Sequence, residues 1–201
     1  MKLAISAGHG MSSRVPGKID PGADGNGQQE AVMVKGMANR LAQDFSALRW
    51  PCLVRDTGHY AQADDDAKAW GAQFFIELHM NAGPPSANGV ECLVGGNATV
   101  AERRLAAALC RNVSSVSGMY NRGVKVRTDL AVLRQHPMDS VLFEMGFISN
   151  VNDMRRYQKS VDKIELAILN AVLTTYGRKP ATFLPRKWSL PRRLWARITY
   201  R

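Results

Sequence analysis

The chain has 201 residues, enough to bury one substantial core, and no apolar run long enough to cross a bilayer. Its three cysteines, Cys52, Cys92 and Cys110, form no CxxC pair and leave an odd thiol, so they point to neither a disulfide framework nor a cysteine metal site and read as small apolar residues. Charge is uneven: residues 1–176 hold 19 Lys and Arg against 17 Asp and Glu, whereas residues 177–201 hold 8 basic residues and no acid, so the net charge of +10 belongs mostly to the tail.

The opening residues 3–7 resemble a signal sequence only in the lysine before them, because Gly8-His9-Gly10 interrupts the apolar stretch at once. They read as a first buried strand, and the chain is expected to be made in the cytoplasm without a signal peptide. Residues 17–29, with Asp20-Pro21-Gly22 and Gly25-Asn26-Gly27, read as a glycine-rich loop that shapes a cleft, since the spacing of a phosphate-binding loop is absent. A helix is expected from Glu30, with Val34, Met37, Ala38, Leu41 and Phe45 forming its apolar face. Short apolar runs at 52–55, 74–79, 89–95 and 141–147 read as further strands. Asp64-Asp65-Asp66 are consecutive acids that precede a helical stretch, so they read as solvated first-turn charges rather than a metal cluster. Thr99 and Glu102 form a capping-box pattern ahead of Leu105, Ala108, Leu109 and Val113, and a last helix is expected over 160–176, before Gly177. Strands alternating with helices imply an α/β layer fold on a largely parallel sheet. Residues 1–177 form one expected domain, followed by a basic tail over 178–201.

Chemistry concentrates in four residues, each at the end of an apolar run or the start of a helix. His9, Glu30 and His79 supply the two imidazoles and one carboxylate that a catalytic zinc takes while leaving a fourth position for water, and Glu144 is placed to accept that water's proton. Their wide separation along the chain suits a catalytic site gathered by a sheet rather than a structural zinc site. In open α/β sheets, sites form beyond the carboxyl ends of strands, where His9 and His79 fall. Glu144 lies inside its strand and faces with Leu142 and Gly146, a costly position for an acid that has no partner. His59 and His136 occur in loop contexts without neighbouring ligand patterns.

These residues, in this order, resemble the zinc-dependent N-acetylmuramoyl-L-alanine amidases of the type 3 family, over roughly residues 3–176. The resemblance is carried by Ala7-Gly8-His9-Gly10, Asp20-Pro21-Gly22-Ala23, His79-Met80-Asn81-Ala82, Gly89-Val90-Glu91, Gly123-Val124-Lys125, Val132-Leu133-Arg134 and the segment from Glu144 through Gly146-Phe147-Ile148-Ser149-Asn150. It implies a twisted, mostly parallel sheet with helices on both faces, zinc on His9, Glu30 and His79, and an acid/base role for Glu144. The implied reaction is hydrolysis of the amide between N-acetylmuramic acid and L-alanine of peptidoglycan. Glu77 departs from the family, which usually has a small or hydroxyl residue there. Strand alternation gives Glu77 the facing of His79, as a partner behind the site or as a perturbation of it.

Two other functions fit the same residues: a zinc peptidase cutting within the stem peptide, and a non-catalytic wall- or nucleic-acid-binding protein. Retention of all four key residues argues against the second. The compact layout suits a phage or prophage endolysin acting on the cell wall. In residues 191–201, Leu194, Trp195 and Ile198 lie on one side of a helical wheel and Arg193, Arg197 and Arg201 on another, a pattern suited to an anionic membrane or cell surface. The tail carries no readout motif for a specific nucleic acid, and nothing in the sequence indicates an oligomeric state.

Overall fold

The computed structural model describes residues 1–11, 17–55, 60–133 and 137–184. Besides two ribbons of two-residue strands between residues 10 and 29, the main elements among the described residues are β1 (Leu3–Ala7), α1 (Glu30–Ala47), β2 (Cys52–Arg55), α2 (Tyr60–Trp70), β3 (Phe74–Asn81), β4 (Val90–Val94), α3 (Val100–Ser117), β5 (Asn121–Val126), a 3-10 turn (Ala131–Leu133), β6 (Asp139–Phe147) and α4 (Val151–Thr175). The six strands form one sheet in the order β2-β1-β3-β6-β4-β5. β2, β1, β3 and β6 run parallel, while β4 joins β6 antiparallel and carries β5 parallel to itself. The expected α/β architecture with a mostly parallel sheet is therefore present.

Strand alternation divides the core in two. Leu3, Ile5 and Ala7 of β1, Phe74, Ile76, Leu78 and Met80 of β3, and Val141, Phe143 and Met145 of β6 pack with α1, α3 and α4. The intervening residues Ala4, Phe75, Leu93 and Leu142 pack with Ala63 and Ala67 of α2 and with Val132 and Leu133 of the 3-10 turn. Helices thus cover both faces, but the α2 side is thinner and built on small residues.

Local signals account for both ends of α3 and the start of α4. Thr99 and Glu102 form the expected reciprocal capping box on α3, which closes at Gly118 in the left-handed conformation (φ 73°). The last helix begins at Val151 rather than near 160. Asn150 caps it, accepting from the backbone N–H of Asn152 and of Asp153 at 3.0 Å each. Its first turns bury only Asp153, Met154 and Tyr157 while Arg155, Arg156, Gln158 and Lys159 are exposed, so the apolar period is sparse there. The three aspartates are not first-turn charges: they occupy the second turn of α2, where Asp64 pairs with Lys68 at 2.5 Å and Asp66 with Arg55 of β2 at 2.6 Å. β5 is an edge strand that the apolar pattern does not announce, because Asn121, Lys125 and Gly123 break it.

Past α4 the chain folds back on the body. Asn170 and Ala181 exchange two hydrogen bonds, 2.7 and 3.0 Å, and the Arg178 guanidinium lies 5.4 Å from the Trp50 ring centre. Ala181 and Leu184 pack against the main core. The amphipathic segment read over 191–201 lies outside the described residues, as do His59, Arg134 and His136.

Candidate metal centre

Beyond β1 the backbone stays pinned to β3 through Gly8 N–H donating to the Leu78 carbonyl at 2.9 Å, which delivers His9 beside the end of β3. Glu30 arrives as the first residue of α1, where a carboxylate suits the helix N-terminus. It is 4% exposed. Two backbone N–H groups fix it: Ala23 donates to Oε2 and Met80 to Oε1, each at 2.9 Å. His79 stands near the carboxyl end of β3.

The three side chains converge. His9 Nε2 lies 3.2 Å from Glu30 Oε2 and His79 Nδ1 lies 2.9 Å from Glu30 Oε1, with the ligand atoms of the three residues all within 4.8 Å of one another. The imidazoles meet edge to face, with ring centres 5.0 Å apart. Two glycines make this approach feasible. A Cβ on Gly8 would stand 2.1 Å from His79 Nε2, and one on Gly22, already at a positive φ of 67°, would stand 2.6 Å from Glu30 Oε2. Gly8 is thus needed for packing, and Gly22 for packing and for its left-handed turn.

Each imidazole turns its other nitrogen toward a second carboxylate. His9 Nδ1 faces Asp20 Oδ1 at 3.4 Å, and His79 Nε2 is 3.0 Å from Glu77 Oε1. Two imidazoles backed by acids, plus a buried carboxylate between them, are a donor set that fits a zinc dication. Burial alone would raise the Glu30 carboxyl, but bonds from His79, His9 and the Ala23 N–H outweigh it and hold the group well below the ordinary range. Burial would likewise lower His79, yet its bonds to Glu30 and Glu77 and the nearby Glu144 raise it well above an ordinary histidine. Without a metal, these charges hold protons on the imidazoles that a dication must displace.

Glu144 stands abreast of this group, paired in register with His79 of β3 on one side and Glu91 of β4 on the other. It shares the facing of Leu142, as strand alternation requires. Its Oε2 is buried and has no hydrogen-bond partner. Burial pushes this carboxyl up to about 7; the charge of His79 opposes the rise, and Glu30 and Glu91 add to it. A carboxylate with one free oxygen near neutrality is suited to proton transfer.

All four residues singled out in the sequence are therefore brought together. Others were missed. Asn81 donates to Glu91 Oε1 at 2.8 Å, Arg122 Nε donates to Glu91 Oε2 at 2.6 Å, and the Arg122 guanidinium covers Phe147 at 5.0 Å from its centre. Arg122 lies on the polar edge strand, 31 residues from its partner, so no local pattern links them. The glycine-rich loop packs against the segment after β6: the Asn26 side chain donates to the Ile148 carbonyl at 2.7 Å, and a Cβ on Gly25 would stand 2.5 Å from the same oxygen.

The sequence pattern of the N-acetylmuramoyl-L-alanine amidase family, type 3, matches residues 3–174. The chain belongs to this family. Among relatives of this amidase-family chain, the sporulation-specific N-acetylmuramoyl-L-alanine amidase of Bacillus subtilis is 29% identical over 167 residues, covering 80% of this chain and 61% of that protein. The N-acetylmuramoyl-L-alanine amidase CwlM of Bacillus licheniformis is 29% identical over 170 residues, covering 80% and 62%. The chain thus spans about three fifths of the length of these two relatives. Among solved structures, the catalytic domain of the CD27L endolysin targeting Clostridia difficile superposes with a TM-score of 0.75 at 25% identity, covering 87% of this chain and 97% of that domain.

Proposed function

We propose that this amidase-family chain is a zinc-dependent peptidoglycan hydrolase that cleaves the amide between the lactyl group of N-acetylmuramic acid and L-alanine. The observation that carries the reading is the convergence of His9, Glu30 and His79 within 4.8 Å beside a buried, unpartnered Glu144 oxygen. His9, Glu30 and His79 would hold the ion, with Asp20 and Glu77 orienting the two imidazoles. When bound, zinc supplies a Lewis acid that polarises the scissile carbonyl and acidifies the attacking water.

The chain's own residues carry the protons. Glu144 Oε2 takes the proton of the water whose oxygen bonds to the lactyl carbonyl carbon. It then returns that proton to the alanine nitrogen as the C–N bond breaks. Its raised proton affinity suits both halves of this exchange, because a strongly acidic carboxyl accepts poorly and a weakly acidic one donates poorly. Glu30, fixed by two backbone N–H groups, stays ionised throughout.

The similarity to an endolysin's catalytic domain supports a phage or prophage lysin acting on the wall, and we assign the catalytic domain to the body and the basic character to the segment after it. The docking of residues 178–184 on α4 favours a boundary after Leu184. The residues beyond it would provide contact with an anionic membrane or cell surface. The test is digestion of purified peptidoglycan with mass analysis of the products. Intact stem peptides with a free L-alanine amine, together with peptide-free lactyl-sugar chains, are the expected result. Shortened peptides would replace this assignment with a stem-peptide zinc peptidase, and no product at all would favour a wall-binding role.

A further inference from the structure

Glu77 is the acid that the family pattern does not call for. It is 4% exposed, sits in the middle of β3, and is flanked in register by Ser6 of β1 and Leu142 of β6. The Ser6 hydroxyl turns away to the Ala7 carbonyl at 3.3 Å, Leu142 offers no polar side chain, and Glu77 Oε2 is buried without a partner. Its hydrogen bond is to His79 Nε2, at 3.0 Å. A buried carboxylate held by so little is costly, so its presence calls for a compensating role.

The geometry around His79 defines that role. Nδ1 faces Glu30 and His9, where the donor set converges, while Nε2 is enclosed by Glu77 Oε1 and the backbone of Gly8, which leaves no room even for a Cβ. The two nitrogens point to opposite sides of the ring. Glu77 therefore lies behind the imidazole and outside the ligand set.

We propose that Glu77 is a positioning residue that holds the Nε2 proton of His79, so that Nδ1 is the nitrogen presented to the metal in a fixed orientation and with increased donor strength. The proposal rests on the zinc reading of the site and adds to it a residue outside the ligand set. A hydrogen bond from Nε2–H to a carboxylate fixes the tautomer and shifts electron density toward Nδ1. Asp20, more exposed and 3.4 Å from His9 Nδ1, is the weaker counterpart on the other imidazole.

The test is zinc affinity, measured by competition with a chromophoric chelator on metal-stripped parent protein and its Glu77→Ser and Glu77→Gln variants. Nitrogen-15 NMR of the histidine rings in the zinc-loaded forms accompanies it. Glu77→Ser should fold, because it removes a buried acid, and should bind zinc about 10- to 100-fold more weakly, with its His79 Nε2–H resonance lost to solvent exchange. Glu77→Gln should show a smaller loss and keep the resonance, since its amide oxygen accepts the same bond without the charge. Parent-like affinity and an intact Nε2–H signal in a folded Glu77→Ser would overturn the role of Glu77 while leaving the zinc reading in place. A parent that takes up no zinc overturns both. If the serine variant does not fold, the glutamine variant decides, and parent-like affinity there counts against the proposal.

Discussion

On the face covered by α1, α3 and α4, the strands present apolar side chains through their interiors: Phe74, Ile76, Leu78 and Met80 on β3, Val141, Phe143 and Met145 on β6. On the α2 face the same strands carry Phe75 and Leu142 and finish polar, with Glu77 and His79 on β3 and Glu144 on β6. The first face is packed for stability and the second changes along its length from packing to chemistry. Neighbouring residues on one strand therefore answer to different constraints, since alternate side chains enter different environments. Phe143 and Glu144 are the sharpest such pair, one in a fully apolar core and the other beside two imidazoles.

The comparison is broken most severely on the polar face. His79→Ala should lose most of the bound zinc and, with it, nearly all peptidoglycan hydrolysis, because two remaining ligands bind the ion poorly; elemental analysis together with a turbidity assay checks this. Glu144→Gln should retain zinc and fold but slow hydrolysis by about 10²- to 10⁴-fold, as expected for loss of proton transfer. If it hydrolyses peptidoglycan near the parent rate, Glu144 belongs with the structural residues.

On the apolar face the effect should be on stability. Phe143→Ala, at a position with no exposed surface, should lower unfolding free energy by about 3–5 kcal/mol. Chemical denaturation measures it, and a loss near zero would show that this face is not the packed core described here.

A smaller effect sharpens the contrast through pH. Burial raises Glu144 from 4.5 to about 7, so between these values the folded metal-free protein keeps a proton that the unfolded chain has released. Stability falls as pH rises through that window, and the deficit is complete above the folded value. Metal-free Glu144→Gln lacks this penalty and should exceed the parent by on the order of 1–3 kcal/mol above about pH 7 and by little near pH 4.5. An advantage that shrinks with rising pH would contradict the assignment of burial as the cause.

The smallest effect concerns the tail. Deleting residues 185–201 should leave zinc content and hydrolysis of purified peptidoglycan close to parent while weakening binding to anionic vesicles at low salt, an attraction that salt screens. Equal vesicle binding by both forms would remove this role. Deletion from residue 178 should in addition lower stability, because it removes the Asn170–Ala181 bonds and the contact with Trp50.

The sequence made the polar ends of the strands legible because each site residue interrupts an apolar run or opens a helix, and His9, Glu30, His79 and Glu144 are conspicuous for that reason. β1, β3, β4, β6 and the starts of α1 and α3 could be read from periodicity and capping. β5 could not, since an edge strand with Asn121, Lys125 and Gly123 need satisfy no buried face. The first turns of α4 were hidden by their exposed basic residues, and only the Asn150 cap marks them. The support around the site was the least visible part. Arg122 reaches Glu91 across 31 residues, and Asp20 comes back to His9 only because the intervening loop folds, so single-sequence spacing carries no signal of such partners.

The most direct test of the central claim is hydrolysis of purified peptidoglycan by metal-stripped protein during titration with zinc. The account predicts no cleavage before zinc is added and recovery that saturates at a single equivalent, with stem peptides released at their L-alanine amine. Full activity in protein shown by elemental analysis to be free of metal would contradict it.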